Sequence, residues 1–364
     1  MGWLAVCDHK ERRFSLRGVG HDRNDNRRHA EGADTLLARG SILIETRVTP
    51  EGRPQELLSF SKSWPDQSSL AIRAIPGGGI SLVQVNGEQI AHTALRHGMA
   101  ARTDVLRITF AWDAPRAWAQ LSVERPDTHQ IACVPVENAS AMRLTDLRDL
   151  MMGRGNSLFA KDIIFAALSD EVERIGPQPS LCPTALIATP EGYRAAGTLQ
   201  RGDTVLTHSG DVVPVLHSVA RTVPARGSFA PVRLRAPYFG LRQDVLVAPD
   251  QRLIIGGSEV EYLFAEEAVL TPARHLVNGF AALFEPAGAT QRYVQLVLPD
   301  HDALIVAGAA MESLYIGRIR RNPAELAATL LHDVERQSLP EHRRPAFKVL
   351  KWFEAIHLAR QRAA

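Results

Sequence analysis

The sequence predicts a mainly β protein: an N-terminal antiparallel β-sandwich, a helical connector, a second all-β domain and a helical tail. Three observations predict it. Between Ser41 and Glu124, apolar residues alternate in short runs separated by Gly, Pro, Asn and Asp. That is the pattern of half-buried strands joined by tight turns. Residues 141–174 then switch to a spacing of three and four, which is helical. Finally, the run Gly176-Pro177-Gln178-Pro179-Ser180 punctuates the chain. Pro fixes φ and removes a donor, Gly weakens a helix, and strand rhythm resumes beyond them to about Tyr315.

Size and composition fit this reading. The chain has 364 residues, enough for two domains. With 45% hydrophobic and 23% charged residues, it has the apolar content to bury a core. A net charge of +2 gives no global field to steer nucleic acid or an anionic membrane. No run of about 18 apolar residues is present, so no helical membrane span is expected. The N-terminus does not read as a secretory signal, because Asp8-His9-Lys10-Glu11-Arg12-Arg13 follows Trp3–Val6 where an apolar region should continue. This leaves a cytoplasmic location or export independent of such a signal. Three cysteines, at 7, 133 and 182, are too few and too scattered for a disulfide scaffold. No CxxC, HExxH, Walker A, GxGxxG or GxSxG motif occurs, and no Asp/Asn cluster suggests calcium. No cofactor or metal is therefore expected.

The elements follow in order. Residues 1–33, rich in charge between His9 and Arg28, read as a polar leader. In the module at 34–140, Ile42, Ile44, Thr46 and Val48 alternate before the turn Pro50-Glu51-Gly52. Leu57, Leu58 and Phe60, then Leu70–Ile75, come before Pro76-Gly77-Gly78-Gly79. Ile80–Val85 runs into Asn86-Gly87, a strong hairpin signal. Val105–Trp112 and Trp118–Glu124 flank Asp113-Ala114-Pro115. Over residues 34–135 this pattern resembles a concanavalin-type jelly roll, the lectin and laminin-G architecture. The resemblance implies a glycan or protein ligand for the module. Trp112 and Trp118 flank a hairpin and are expected to pack in the core or at its rim, with a sugar-stacking platform as the alternative. In the connector at 141–180, Leu144, Leu147, Leu150 and Met151 predict a helix, and Ile163, Ile164, Ala167, Leu168 and Val172 predict another. In the tail at 321–364, Leu326, Leu330, Leu331 and Val334, then Phe347, Leu350, Phe353, Ala355 and Leu358, predict further helices.

Cys182 opens the second domain at the end of the linker, in the stretch CPTALIATPEGYRAAGTLQRGDTVLTHSG. A thiol, a strand, a turn and then Leu-x-x-Gly-Asp-x-Val-Leu-Thr resemble the opening of the Hint family, the self-processing domain of Hedgehog proteins and inteins. The bacterial subgroup is the nearest likeness. Gln243–Ile255 resembles the family's second block, and Leu270–Gly279 and Leu298–Tyr315 resemble its late blocks. With the closing stretch RRPAFKVLKWFEA, the resemblance covers roughly Leu181–Leu358. It implies a Hint-type domain at 181–320 and attack of the Cys182 thiol on the carbonyl of Leu181, turning an amide into a thioester. Such attack profits from very high effective concentration. It also needs a deprotonated thiol, donors for the oxyanion and an acid for the departing amine.

Here the sequence departs from the family pattern. The family uses Thr/Ser-x-x-His in the second block, but this chain has Ala248 and Gln251 at those places. An Ala side chain makes no hydrogen bond, and a Gln amide cannot pass a proton near neutral pH. His301 and His275 are the candidate substitutes, and Glu312-Ser313 lies in the late block without an assigned role. The His-Asn ending of splicing inteins is absent after Tyr315, so splicing is not expected. Two readings follow: impaired self-cleavage between Leu181 and Cys182, or a non-catalytic binding protein on a degenerate Hint scaffold.

Overall fold

In the computed structural model, which describes residues 2–20, 35–48, 54–63, 66–98, 104–126, 128 and 130–363, the chain divides into two units. They are Met1–Ile175 and Gly176–Ala364.

The alternating strands of the first unit pair into two sheets. The seven-stranded sheet runs, edge to edge, Gln130–Pro135, Trp118–Arg125, Asp104–Asp113, Arg39–Val48, Ile163–Ser169, Trp3–Cys7 and Arg12–Phe14. The five-stranded sheet runs Ser157–Phe159, Gln55–Lys62, Ser68–Ile75, Gly79–Asn86 and Gln89–Arg96. Ile42, Ile44, Ile108 and Phe110 from the first sheet and Leu58, Leu70, Ile72, Ile80 and Leu82 from the second share one buried core. This is the antiparallel sandwich that alternation predicts, since one face of each strand must leave water. At the Asn86-Gly87 signal, Asn86 pairs with Gln89, so the two-residue turn is Gly87-Glu88, with Gly87 at φ 59°. Glycine adopts that left-handed value at no steric cost at the first central position of a primed turn.

Two expectations need correction in this unit. The leader begins as structure: Trp3–Cys7 is a buried strand paired with Ile163–Ser169 on one side and Arg12–Phe14 on the other. Its five residues are too few to show a period, and its partner lies far along the chain. Residues 21–34, the rest of that leader, and the turn Pro50-Glu51-Gly52 lie outside the described residues. The connector holds one helix, α1 (Leu144–Met152), which buries Leu147, Leu150 and Met151 as predicted. Its second expected helix is instead the strand Ile163–Ser169. That strand lies between two others and is buried along nearly all its length, so its apolar run is continuous and mimics a helix face. Trp112 is fully buried, its indole N–H donating to the Leu37 carbonyl (3.0 Å), in keeping with core packing and not with a sugar platform.

The second unit is also built from strands. A seven-stranded sheet runs Gly192–Ala195, Leu186–Thr189, Ala303–Val306, Ala309–Glu312, Arg252–Gly256, Ala268–Pro272 and Lys348–Val349. Beside it stand the long pair His217–Pro224 with Thr290–Val297, and a three-stranded sheet of Val245–Val247, Val232–Leu234 and Ala282–Phe284. Helix α2 (Ser258–Phe264) packs on α4 (Trp352–Ala363). The tail is less helical than expected: α3 spans only Pro323–Ala327, and Lys348–Val349 joins the sheet edge as a parallel strand.

Candidate functional site

The site is organised by one residue, Leu181. It bridges two strands, pairing with Val247 on one side and Val294 on the other, and it is fully buried. Its N–H donates to the Val294 carbonyl (3.0 Å), and its carbonyl accepts from the Val294 N–H (2.8 Å). The next amide, that of Cys182, donates to the Leu246 carbonyl (3.1 Å). Both sides of the Leu181–Cys182 peptide are thus held by main-chain bonds, which fix its plane.

Register then decides which side chains meet. The antiparallel pairing of Leu181 with Val294 sets Ser180 beside Gln295 and Cys182 beside Tyr293. Along the strand Thr290–Val297, Gln291, Tyr293 and Gln295 fall on one face, because side chains alternate with period two. At the sulfur, Gln291 Nε2 lies 3.7 Å and Thr184 Oγ1 3.5 Å from Cys182 Sγ, both as donors. Cys182 is 9% exposed. Burial pushes the Tyr293 hydroxyl well above the ordinary phenol range, and the nearby Cys182 sulfur adds to it. That hydroxyl donates to the Phe229 carbonyl (2.9 Å). Behind the cysteine, Gly197 closes on Pro183: a Cβ there would stand 2.9 Å from the proline Cβ, so only glycine allows this approach.

Gln251 stands at the end of the turn Ala248–Gln251, whose first residue donates its N–H to the Ser180 carbonyl (2.7 Å). Its buried amide makes four bonds. Oε1 accepts from Ser180 Oγ (2.7 Å) and Gln295 Nε2 (3.1 Å), while Nε2 donates to the carbonyls of Arg252 (2.9 Å) and Glu312 (3.2 Å). Gln295 Nε2 also donates to the Glu312 carbonyl (2.7 Å). Where the family pattern carries an imidazole, this chain has a network of neutral amides and a hydroxyl. None of its members can release a proton near neutral pH.

The two candidate histidines sit one step out from that network. His301 is buried, with Nδ1 accepting the Ala346 N–H (3.0 Å). Its Nε2 is 3.0 Å from Glu312 Oε1, at ion-pair distance though out of line for a hydrogen bond. Glu312 also takes Arg252 Nη1 at 2.9 Å. Burial alone would raise this carboxyl, but His301 and Arg252 outweigh it and hold it below the usual range. The His301 ring packs against Tyr315 and His342. Burial keeps His342 below its ordinary value, with the Leu298 carbonyl opposing and His301 adding to the depression. His275 is half-buried at the end of the turn Ala273–His275. That turn is tied to the Gln251 turn, with Ala273 N–H on the Gln251 carbonyl (2.8 Å) and Arg274 N–H on the Pro249 carbonyl (2.9 Å).

Cys182 and Gln251 are therefore gathered around one peptide, with His301 joined to Gln251 through Glu312. Sequence reasoning missed Ser180, Thr184, Gln291, Gln295 and the Val294 amide. The polar spacing Gln291, Tyr293, Gln295 on one face of the strand was the available signal. Among the described residues, no group of three His, Cys, Asp or Glu could hold a metal ion.

Residues 179–318 match the family model described as Hint domain. Among solved structures, the chain is similar to the MchDnaB-1 intein, at 13% identity over 37% of this chain and 98% of that one, with a TM-score of 0.25. It is also similar to the CBM40 module of the Ruminococcus gnavus IT-sialidase, at 15% identity over 38% and 78% of the two chains, with a TM-score of 0.28. Domains LG1-3 of the laminin alpha2 chain are 10% identical over 64% of this chain and 36% of that one, with a TM-score of 0.25. No curated protein matches the chain.

Proposed function

We propose, for a chain whose residues 179–318 match the Hint domain, that this domain cleaves its own chain slowly between Leu181 and Cys182. The Cys182 thiolate attacks the Leu181 carbonyl carbon, an S–C bond forms, and the C–N bond breaks. The proton lost by the thiol ends on the freed α-amine of Cys182. Water or an added nucleophile then opens the thioester, releases the segment ending at Leu181 and restores the thiol. The reading is carried by the holding of the scissile carbonyl on the Val294 N–H at 2.8 Å. A donor already at that oxygen stabilises the developing oxyanion. The slowness comes from the other side of the bond. The Cys182 N–H faces the Leu246 carbonyl, an acceptor, and Gln251 has no proton to give the leaving amine. His301 has Nδ1 occupied by the Ala346 N–H and Nε2 turned to the Glu312 carboxylate at 3.0 Å, so it is a poor carrier in this arrangement.

The test is intact mass of the purified protein incubated with hydroxylamine. A fragment ending at Leu181 as its hydroxamate is expected, absent in Cys182→Ala. A single full-length mass under every condition overturns the proposal.

A second reading, binding by the sandwich, is favoured by one observation. An open cleft of about 660 Å³ lies on the outward side of the five-stranded sheet, lined by Glu56, Ser59, Ser61, Ser69, Arg73 and Asn156 among others. Polar groups of this kind suit a glycan or a protein loop. A glycan array probed with the full chain and with Ala71→Trp, which fills the cleft, tests it. Signals unchanged by the filling substitution remove the cleft as the site.

A further inference from the structure

We propose that the outer edge of the strand His217–Pro224 binds an extended peptide, which joins the sheet as a further strand. His217–Pro224 has a single neighbour in its sheet, Thr290–Val297. The register of that pair tells which main-chain groups are already used. Val294 gives both its N–H and its carbonyl to Leu181, on the far side of Thr290–Val297. The alternate residues Tyr293 and Gln295 therefore turn their main chain to Arg221 and Val219, their partners in the pair. Ser218 and Ala220 then aim their N–H and C=O groups the other way, at the outer edge. No main-chain bond among the described residues meets them there, and both residues are exposed. Such a row of free donors and acceptors is a template for another backbone.

Ser218, Val219 and Ala220 line an open groove of about 400 Å³. Leu330, Leu331 and Val334, in the segment after α3, wall it as well. Leu331 is buried in one apolar cluster with Val219 and Leu326, while Leu330 and Val334 are half-buried. At the rise of a strand, the outward groups of Ser218 and Ala220 stand about 6.8 Å apart and pair with about three residues of an incoming chain. Alternate side chains of that chain fall on Leu330 and Val334, which suits branched apolar residues. Charge does not choose the occupant. Arg201 lines the groove, Asp203 is paired with Arg194 at 3.1 Å, and Asp333, Glu335 and Arg336 follow on the wall segment, so the charges nearly cancel. The main chain and the wall choose it. A folded second copy presents this edge only behind its own Leu330–Val334 segment, whereas a flexible peptide can enter. The groove stands on the far side of Thr290–Val297 from Leu181, and it exists whether or not the chain cleaves there.

The test pans a phage-displayed library of linear peptides, about seven residues long, on the full chain. Enriched peptides are synthesised, labelled and titrated by fluorescence anisotropy. Their sequences should alternate branched apolar residues. N-methylation of a peptide amide that faces the edge should weaken binding roughly tenfold, as one lost main-chain bond predicts, and the same change at the next amide should do little. Ala220→Pro removes an outward N–H and leaves the pairing with Thr290–Val297 intact, because proline is tolerated where a strand N–H faces solvent. It should weaken binding at least as much, with an unchanged thermal melt. The absence of any enriched peptide overturns the proposal. So does binding that ignores the position of the N-methyl group, or equal binding by Ala220→Pro. A concentration-dependent dimer that Ala220→Pro abolishes, with no peptide bound, assigns the edge to a second copy and overturns it as well.

Discussion

Restoring an imidazole at the second-block position is the sharpest test of why self-cleavage is slow. The perturbation is Gln251→His together with Ala248→Ser. Gln251 now makes four hydrogen bonds through two atoms: two accepted at Oε1 and two donated by Nε2. A neutral imidazole offers one donor and one acceptor, so at most two of the four survive. Losing two buried bonds costs roughly 1 kcal/mol each, about 2 kcal/mol in all. For a unit of this size, that lowers the melting temperature by about 4–8 °C. The catalytic side runs the other way. A positioned acid for the leaving amine is worth about 10²–10⁴ in rate, or roughly 2.7–5.4 kcal/mol of barrier. The variant should thus be less stable yet cleave at least about a hundredfold faster under hydroxylamine, and its rate should titrate in the imidazole range near about 6.5. The assay is a mass-spectrometric time course of the fragment ending at Leu181, beside a thermal melt. A folded double variant that cleaves at the parental rate refutes the argument that the missing proton donor is limiting.

Other consequences follow from burial and charge. Burial pushes the Cys7 thiol up to about 12, with Ala166 and Met151 as its neighbours. A disulfide reagent at pH 8 should therefore label exposed Cys133 fast in the native protein and leave Cys7 untouched until unfolding; rapid Cys7 labelling contradicts its placement in the core. Glu312 is held low by His301 and Arg252 in spite of burial. Its contribution to stability is therefore complete above the unfolded carboxyl value of about 4.3 and lost as pH falls through the folded value. Glu312→Gln should flatten the acid limb of a melting-temperature profile, while costing about 3–5 kcal/mol by leaving Arg252 buried without its anion; parallel limbs would count against the coupling. Arg321 and Arg320 hold the Glu341 carboxyl at about 2, so carboxyl NMR should show its titration moving up in Arg321→Ala. In the sandwich, Phe110→Ala removes a fully buried ring and should cost about 3–5 kcal/mol by denaturant unfolding.

The fold was legible wherever one face of an element meets water. Ser68–Ile75, Gly79–Asn86 and α1 each show their period because polar residues interleave with apolar ones. Ile163–Ser169 and Trp3–Cys7 were misread for the opposite reason: both are buried almost throughout and carry no alternation to read. The candidate site divides in the same way. Cys182, Ala248 and Gln251 could be picked out because motif order along the chain is a local property.

Residue identity alone sets which chemistry is available: a thiol at the head of the domain, and no ionisable group at positions 248 and 251. What surrounds those residues is a matter of how distant strands pair. The pairing of Leu181 with Val294 joins segments far apart in the chain, and that single register brings Ser180 to Gln295 and Cys182 to Tyr293. It also aims the Val294 N–H at the Leu181 carbonyl. Register between distant strands is set by the burial of whole faces, a collective property that no local window of sequence carries.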